Sequence, residues 1–293
     1  IAHRPRLAWD RMWRVLAAHF ARAGAHANAD VARYAVDSLR QLSLKFLSKE
    51  ELKAFTFQRA FLRPFERVFR ANRDVAGGAS RADVREYVVA CVDVLVQARA
   101  ANLKSGWRSI LSVLGAAAGD GEPRVAALAF ASLGQIMDNH LEAVAVGVVD
   151  LVNCAVAFAS APGRDEATTA MARAALAKLE RCGRALADGT IRDAVAKSDD
   201  AKDQAAPAGG DGAQLELWWP LLLGLAQRVA DPREVVRNGA LSTLRRVLER
   251  DCGDFGAETW RLVFRGVLFP SLESAWTDDA PRPGSTRPTD AAP

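Results

Sequence analysis

Four segments of this chain share one apolar register. Val31, Val84, Val125 and Val236 are each followed four places on by a small or branched residue (Ala35, Val88, Ala129, Ala240). Eight places on stands Leu39, Val92, Leu133 or Leu244. Steps of four put all three positions on one face of a helix. The small middle residue lets a neighbouring helix approach closely. A helix of this kind cannot bury its apolar stripe alone, so copies in one register stack, each supplying its neighbour's core.

The copies are 53, 41 and 111 residues apart. The pattern resembles the second helix of a HEAT or armadillo repeat, whose period is about 40 to 47 residues. The expected fold is therefore all-α, a HEAT/armadillo-like α-solenoid of stacked helix pairs. The long last gap leaves room for two intervening repeats, or for further repeats plus an insertion. Two of the helices open on Val-Arg (Val84-Arg85, Val236-Arg237), and two follow an acid and a proline (Glu122-Pro123, Asp231-Pro232). The proline suits a first helical turn and the acid an N-cap.

The rest of the chain agrees with helix. Ala, Leu, Arg, Val and Glu dominate, there are two Tyr, and no segment reads as an alternating β-branched strand. Trp9, Met12, Trp13, Leu16 and Phe20 give a first helix one apolar face. A loop at 24–28 and a second helix with Val31, Tyr34, Ala35, Leu39, Leu42 and Phe46 follow. The segment around Phe57, Phe61, Leu62, Phe65 and Phe69 is helical but contains Pro64, which predicts a break or kink just before it. Helices are expected at 81–99, 103–118, 123–138, 141–160, 165–187, 215–230, 232–250 and 256–273. This divides the chain into repeats at 1–187, a disordered Gly/Ala/Asp-rich insertion at 188–213, repeats at 214–276 and a disordered tail at 277–293.

The net charge of +4 is small for 293 residues and its arginines are spread out. That argues against nucleic acid, whose binders cluster basic charge, and leaves open a weak contact with anionic membrane. Cys91, Cys154, Cys182 and Cys252 form no CxxC pair and read as buried free thiols of a reducing compartment. No signal peptide opens the chain, no initiator Met stands at its start, and no run of about 20 apolar residues is evident. We expect a fragment of a longer protein with no membrane span. His3, His19, His26 and His140 lie far apart, and no nucleophile-elbow, Walker or zinc pattern is present. No catalytic residue, cofactor or metal is expected.

Local strings are more specific. Phe57-Gln58-Arg59-Ala60-Phe61-Leu62-Arg63-Pro64-Phe65-Glu66 is one, and Asn102-Leu103-Lys104-Ser105-Gly106-Trp107-Arg108 another. Trp218-Trp219-Pro220-Leu221-Leu222-Leu223-Gly224-Leu225 leads to Asp231-Pro232-Arg233 and Val236-Arg237. The phenylalanines four apart read first as core packing, with a partner-binding groove as the functional alternative. Asn102 can N-cap a helix whose buried anchor is Trp107 and whose Gly106 permits close packing. Lys104 and Arg108 are candidates for meeting an acidic partner.

Taken in order, these strings resemble the region downstream of the catalytic domain in the large, brefeldin A-inhibited type exchange factors for Arf GTPases. Leu128-Ala129-Phe130 and Val152-Asn153-Cys154-Ala155-Val156-Ala157-Phe158 extend the resemblance, which runs from about Trp9 to Trp276. It implies that the exchange chemistry belongs to a separate upstream domain and that this chain is not an enzyme. It also implies a regulatory scaffold in Golgi vesicle transport, peripheral to trans-Golgi or endosomal membranes. Its partners would be small GTPases of the Arf or Rab type, upstream domains of the same protein, and anionic membrane. The residues singled out for interaction are Phe57, Gln58, Phe61, Leu62, Pro64, Phe65, Asn102, Lys104, Ser105, Gly106 and Trp107. A generic HEAT-repeat adaptor, including the exchange-inactive Golgi and endosomal relative of the family, is the alternative.

Overall fold

A computed structural model describes residues 3–49, 55–73, 81–197 and 211–278. Among these residues every regular element is helical. In chain order they are α1 (His3–Gly24), α2 (Ala29–Leu47), α3 (Phe55–Arg73), α4 (Ala82–Arg99), α5 (Gly106–Ala117) and α6 (Pro123–Asn139). Then come α7 (Leu141–Val144), α8 (Val148–Ala159), α9 (Glu166–Ala187), α10 (Thr190–Lys197), α11 (Asp211–Arg228), α12 (Glu234–Arg250), α13 (Ala257–Val263) and α14 (Phe269–Asp278).

The helices pack as two parallel rows. One row runs α1, α3, α5, α8, α11 and the other α2, α4, α6, α9, α12, each helix touching the next in its row. Across the rows α1 pairs with α2, α3 with α4, α5 with α6, α8 with α9, and α11 with α12. This is the expected stack of helix pairs, and the shared register runs through its second row. Val84, Val125 and Val236, with Val88, Ala129 and Ala240 and then Leu39, Val92, Leu133 and Leu244, are all buried. Val31 alone is 42% exposed, because α2 is the first helix of its row among the described residues. The long gap before Val236 holds one further copy, in α9, where Thr168, Ala172 and Leu176 occupy the three positions and the last two are buried.

Local chemistry sets the ends. Asn28 caps α2 by accepting from the Asp30 N–H at 2.8 Å, and Asp165 caps α9 by accepting from the Thr168 N–H at 2.8 Å. Pro123 occupies the first turn of α6. Gly189 turns the chain from α9 into α10 with φ of 83°, a left-handed conformation that a side chain would strain.

Several expectations need correction. Pro64 does not break its helix: α3 runs unbroken through it. The apolar segment expected at 141–160 is split into α7, a 3₁₀ turn at Ala145–Gly147, and α8. Leu141–Ala159 also has the length and mean hydropathy (1.9) of a membrane span, contrary to the expectation that no such run exists. Its break, its Glu142 and Asp150, and the packing of α8 against α5, α9 and α11 make it a core segment of the stack. The stretch expected to be irregular from 188 contains α10, which packs on α7 and α9 through the buried Ile191. Positions 198–210 and the tail from 279 lie outside the described residues. On α1 it is Trp13 and Ala17 that are buried, while Met12 and Leu16 are exposed. The last expected helix is interrupted by a π-helical turn at Phe264–Leu268 that ends two residues before Pro270, the kind of extra-wide turn that lets a helix take in a proline.

All four cysteines are free and buried. Burial pushes the thiols of Cys91, Cys182 and Cys252 up to about 12 and raises Cys154 as well. They are therefore protonated packing groups, not nucleophiles.

Candidate interaction site

The two strings singled out in the sequence, from Phe57 and from Asn102, meet across the joint between α3 and α5. Gln58 is the hinge pin. Its side chain is buried, its Nε2 donates to the Asn102 carbonyl at 2.9 Å, and its Oε1 accepts from the Lys104 N–H at 2.7 Å. Ser105 Oγ accepts from the Arg59 backbone N–H at 3.2 Å, and Ser109 Oγ donates to the Arg59 carbonyl at 3.1 Å. The two Gln58 bonds satisfy backbone groups between the 3₁₀ turn at Ala100–Asn102 and α5, which would otherwise cost free energy on burial, and the two serine bonds tie α5 to the Arg59 backbone of α3.

Asn102 does not N-cap α5. The N-cap is Ser105, without a capping bond, and Asn102 Nδ2 instead donates to the Leu47 carbonyl at 2.9 Å, bracing the end of α2. Gly106 sits in close contact: a Cβ there would lie 2.9 Å from Leu62 Cδ1 and 3.1 Å from Leu103 Cδ2, so these buried side chains would have to shift. Trp107 is fully buried beneath this joint.

The aromatic members of the first string point inward. Phe57, Phe61, Leu62, Pro64 and Phe65 are all buried. Phe61 is stacked between Trp13 at 3.9 Å and Phe46 at 3.8 Å, and Phe46 also meets Phe57 at 5.2 Å. Of the two readings the sequence allows for these rings, burial assigns them packing between three helices. Lys104 and Ser105 are half-buried and Arg108 is exposed, so the outer surface of the joint is polar and basic.

A second bracing system lies along the loops. Arg85 is buried and pairs through two nitrogens with Asp120, at 2.7 and 2.8 Å, while donating to the Asn72 carbonyl at 3.0 Å. Arg81 reaches back to the Ala25 carbonyl at 3.2 Å. Asp231 is not the N-cap of α12, which is Arg233. It is a buried carboxylate held by Arg233 at 2.9 and 3.0 Å, and Arg233 also donates to the carbonyls of Ala159 and Gly163. Burial alone would raise the Asp231 carboxyl, but the Arg233 hydrogen bonds more than offset it and hold it low. Each arginine ties the loop within one helix pair to the loop of the next. Arg85 belongs to the Val-Arg pattern legible in the sequence; its Asp120 partner and the Ala159 and Gly163 partners of Arg233, 35 to 74 residues away, are not.

The sequence also conceals an arginine stripe on α3 behind the more conspicuous phenylalanines. Arg59, Arg63 and Arg70 stand at steps of four and seven, the helical spacing that gives one exposed stripe. They face Arg108 of α5 and Asp150 of α8. Burial raises the Asp150 carboxyl, against the pull of Arg108 and Arg59.

A stack of helix pairs whose motif residues brace one pair against the next defines an all-α, solenoid-like repeat fold. Among the described residues no three His, Cys, Asp or Glu side chains converge to hold a metal ion. A family model described as Mon2/Sec7/BIG1-like, HDS matches residues 45–135, and one described as GBF1-like, tetratrico peptide repeat region, matches residues 218–288. The chain is 32% identical over 95% of its length to brefeldin A-inhibited guanine nucleotide-exchange protein 1 of Arabidopsis thaliana. It is 33% identical over 92% to protein 3 of that plant, and 34% identical over 90% to protein 1 of Homo sapiens. The matched region makes up 17%, 16% and 14% of those relatives. The chain belongs to the family of large brefeldin A-inhibited guanine nucleotide-exchange proteins and corresponds to a helical, non-catalytic region of them.

Proposed function

We propose that this chain is a regulatory scaffold of a large Arf guanine nucleotide-exchange factor. It docks an activated small GTPase of the Arf or Rab type, or upstream domains of its own protein, at trans-Golgi or endosomal membranes. Docking shifts the upstream catalytic domain between restrained and active states. Such coupling requires only that the partner bind one state better than the other.

The observation that carries this reading is the match of nearly the whole chain to a non-catalytic region of proteins named as exchange factors. The surface gives secondary support. Most large apolar side chains that remain exposed lie toward two ends of the stack, among them Met12, Val15 and Tyr34 on α1 and α2, and Leu262, Phe264, Phe269 and Leu272 beyond α12, whereas Val94 on α4 is exposed between them. Exposed apolar patches mark surfaces where other domains or proteins dock.

The test is retention on anionic liposomes carrying GTP-loaded or GDP-loaded Arf and Rab-type GTPases. Retention that requires the GTP form supports the reading. Equal or absent retention in all arms overturns the GTPase version. Catalysis of nucleotide exchange by this chain alone would overturn the non-catalytic assignment.

A further inference from the structure

Helices α3, α5 and α8 leave between them an open groove of about 360 Å³, whose charged lining is Arg59, Arg63, Glu66, Arg70, Arg108 and Asp150. A second hollow of about 280 Å³ shares Arg59, Arg108 and Asp150 with it and adds Lys104. In the larger groove four arginines therefore face two carboxylates. Glu66 is occupied by Arg70 at 2.8 Å, and Asp150 lies 3.9 Å from Arg108. Arg59 and Arg63 are exposed, and neither has a carboxylate within ion-pair distance among the described residues. Two unpaired guanidiniums one helical turn apart, at the rim of a recess, form a surface suited to carboxylates.

The length of the row narrows the ligand. Arg59 and Arg70 are eleven residues apart, which is about 16 Å along a helix. One phosphate group cannot meet both ends, whereas an extended polypeptide covers that span with about five residues. Ser112 and Asn153 also line the groove and offer hydrogen bonds to a peptide backbone. We propose that this groove binds an acidic polypeptide segment laid along α3, its carboxylates on Arg59 and Arg63 and its downstream end toward Arg70 or Arg108. The proposal goes beyond the GTPase reading and does not depend on it.

The experiment is fluorescence anisotropy of a labelled ten-residue Asp/Glu peptide with the full 293-residue chain, beside its Asn/Gln counterpart. The acidic peptide binds and the neutral one does not. Binding weakens at least about tenfold in R59E/R63E, and weakens steeply as salt shortens the Debye length below about 10 Å. The variant R11E/R173E makes the same charge change at two exposed arginines away from the groove and costs less than about twofold. Circular dichroism with a thermal melt checks that R59E/R63E is folded, and the milder R59Q/R63Q, which adds no negative charge, shows an intermediate loss. Equal losses in both charge-reversed pairs would reduce the effect to net charge and overturn the proposal, as would absence of peptide binding. Vesicles of phosphatidylcholine with phosphatidylserine form a separate arm. Vesicle binding that needs Arg59 and Arg63 and resists competition by the peptide would assign the groove to lipid instead.

Discussion

The indole N–H of Trp13 donates to the carbonyl of Ala60 at 3.1 Å, and Ala60 is the residue whose carbonyl Pro64 leaves without its helical partner. A proline inside a helix lacks the N–H that would bond four residues back. Here a neighbouring helix supplies the donor, which is why α3 continues where the sequence predicts a break. Trp13→Phe keeps an aromatic ring against Phe61 but removes the donor, and is expected to cost about 1 kcal/mol. In a Pro64→Ala background the backbone gains an N–H at that position, which can take over the carbonyl, so the same change costs measurably less. A double-mutant cycle by urea unfolding reads this coupling; strict additivity would show that the two groups are independent.

Gly106 is fixed by contact rather than by backbone conformation. A methyl group there would press on Leu62 and Leu103. Gly106→Ala is expected to destabilise by about 1–3 kcal/mol, the range for overpacking a filled core. Adding Leu62→Val should recover part of that loss. At Gly121 a methyl group would meet nothing within 4 Å, so Gly121→Ala should stay within about 0.5 kcal/mol of the parent. Thermal melts of the three variants distinguish contact from a general intolerance of alanine.

How much could be read without coordinates follows from where each interaction reaches. The second-row register was legible because Val, Ala and Leu at steps of four announce a buried face whatever they pack against. Its copy in α9 was hidden by one residue: Thr168 stands where the others have Val, although Ala172 and Leu176 keep the pattern. The capping roles expected for Asn102 and Asp231 failed for a different reason. A polar residue before a helix looks the same in sequence whether it caps that helix or braces another. Asn102 bonds to Leu47, 55 residues away. The Phe57 string likewise combines two surfaces, with phenylalanines inside and arginines outside, and the aromatic half is the more conspicuous.

The buried pair Arg85 and Asp120 ties the α5–α6 loop to the start of α4, with side-chain exposures of 4% and 0%. Asp120 also accepts from the Glu122 N–H at 3.0 Å. Asp120→Ala removes the carboxylate partner of a buried guanidinium and should cost about 3–5 kcal/mol, as removal of one partner of a buried pair does. Asp120→Asn keeps an acceptor and should cost clearly less. Urea midpoints measure both; a loss below about 1 kcal/mol for the alanine variant would show that Arg85 finds another partner.

Acid should loosen the joint between α9 and α12. Glu180 accepts from Arg246 at 2.8 Å and from Arg250 at 3.3 Å, and the Arg246 hydrogen bond holds its carboxyl below the usual glutamate range. A carboxyl lowered on folding contributes stability that is fully present above its unfolded value, about 4.3. That contribution is lost as pH falls through the lower folded value. Glu180→Gln should therefore cost about 0.5–1 kcal/mol at pH 7, because both arginines are partly exposed and the pair is screened. The gap between variant and parent should close below pH 4. Melting temperatures of both proteins from pH 7 to pH 3 check the sign: a gap that stays constant with pH would mean that Glu180 acts through packing and not through its charge.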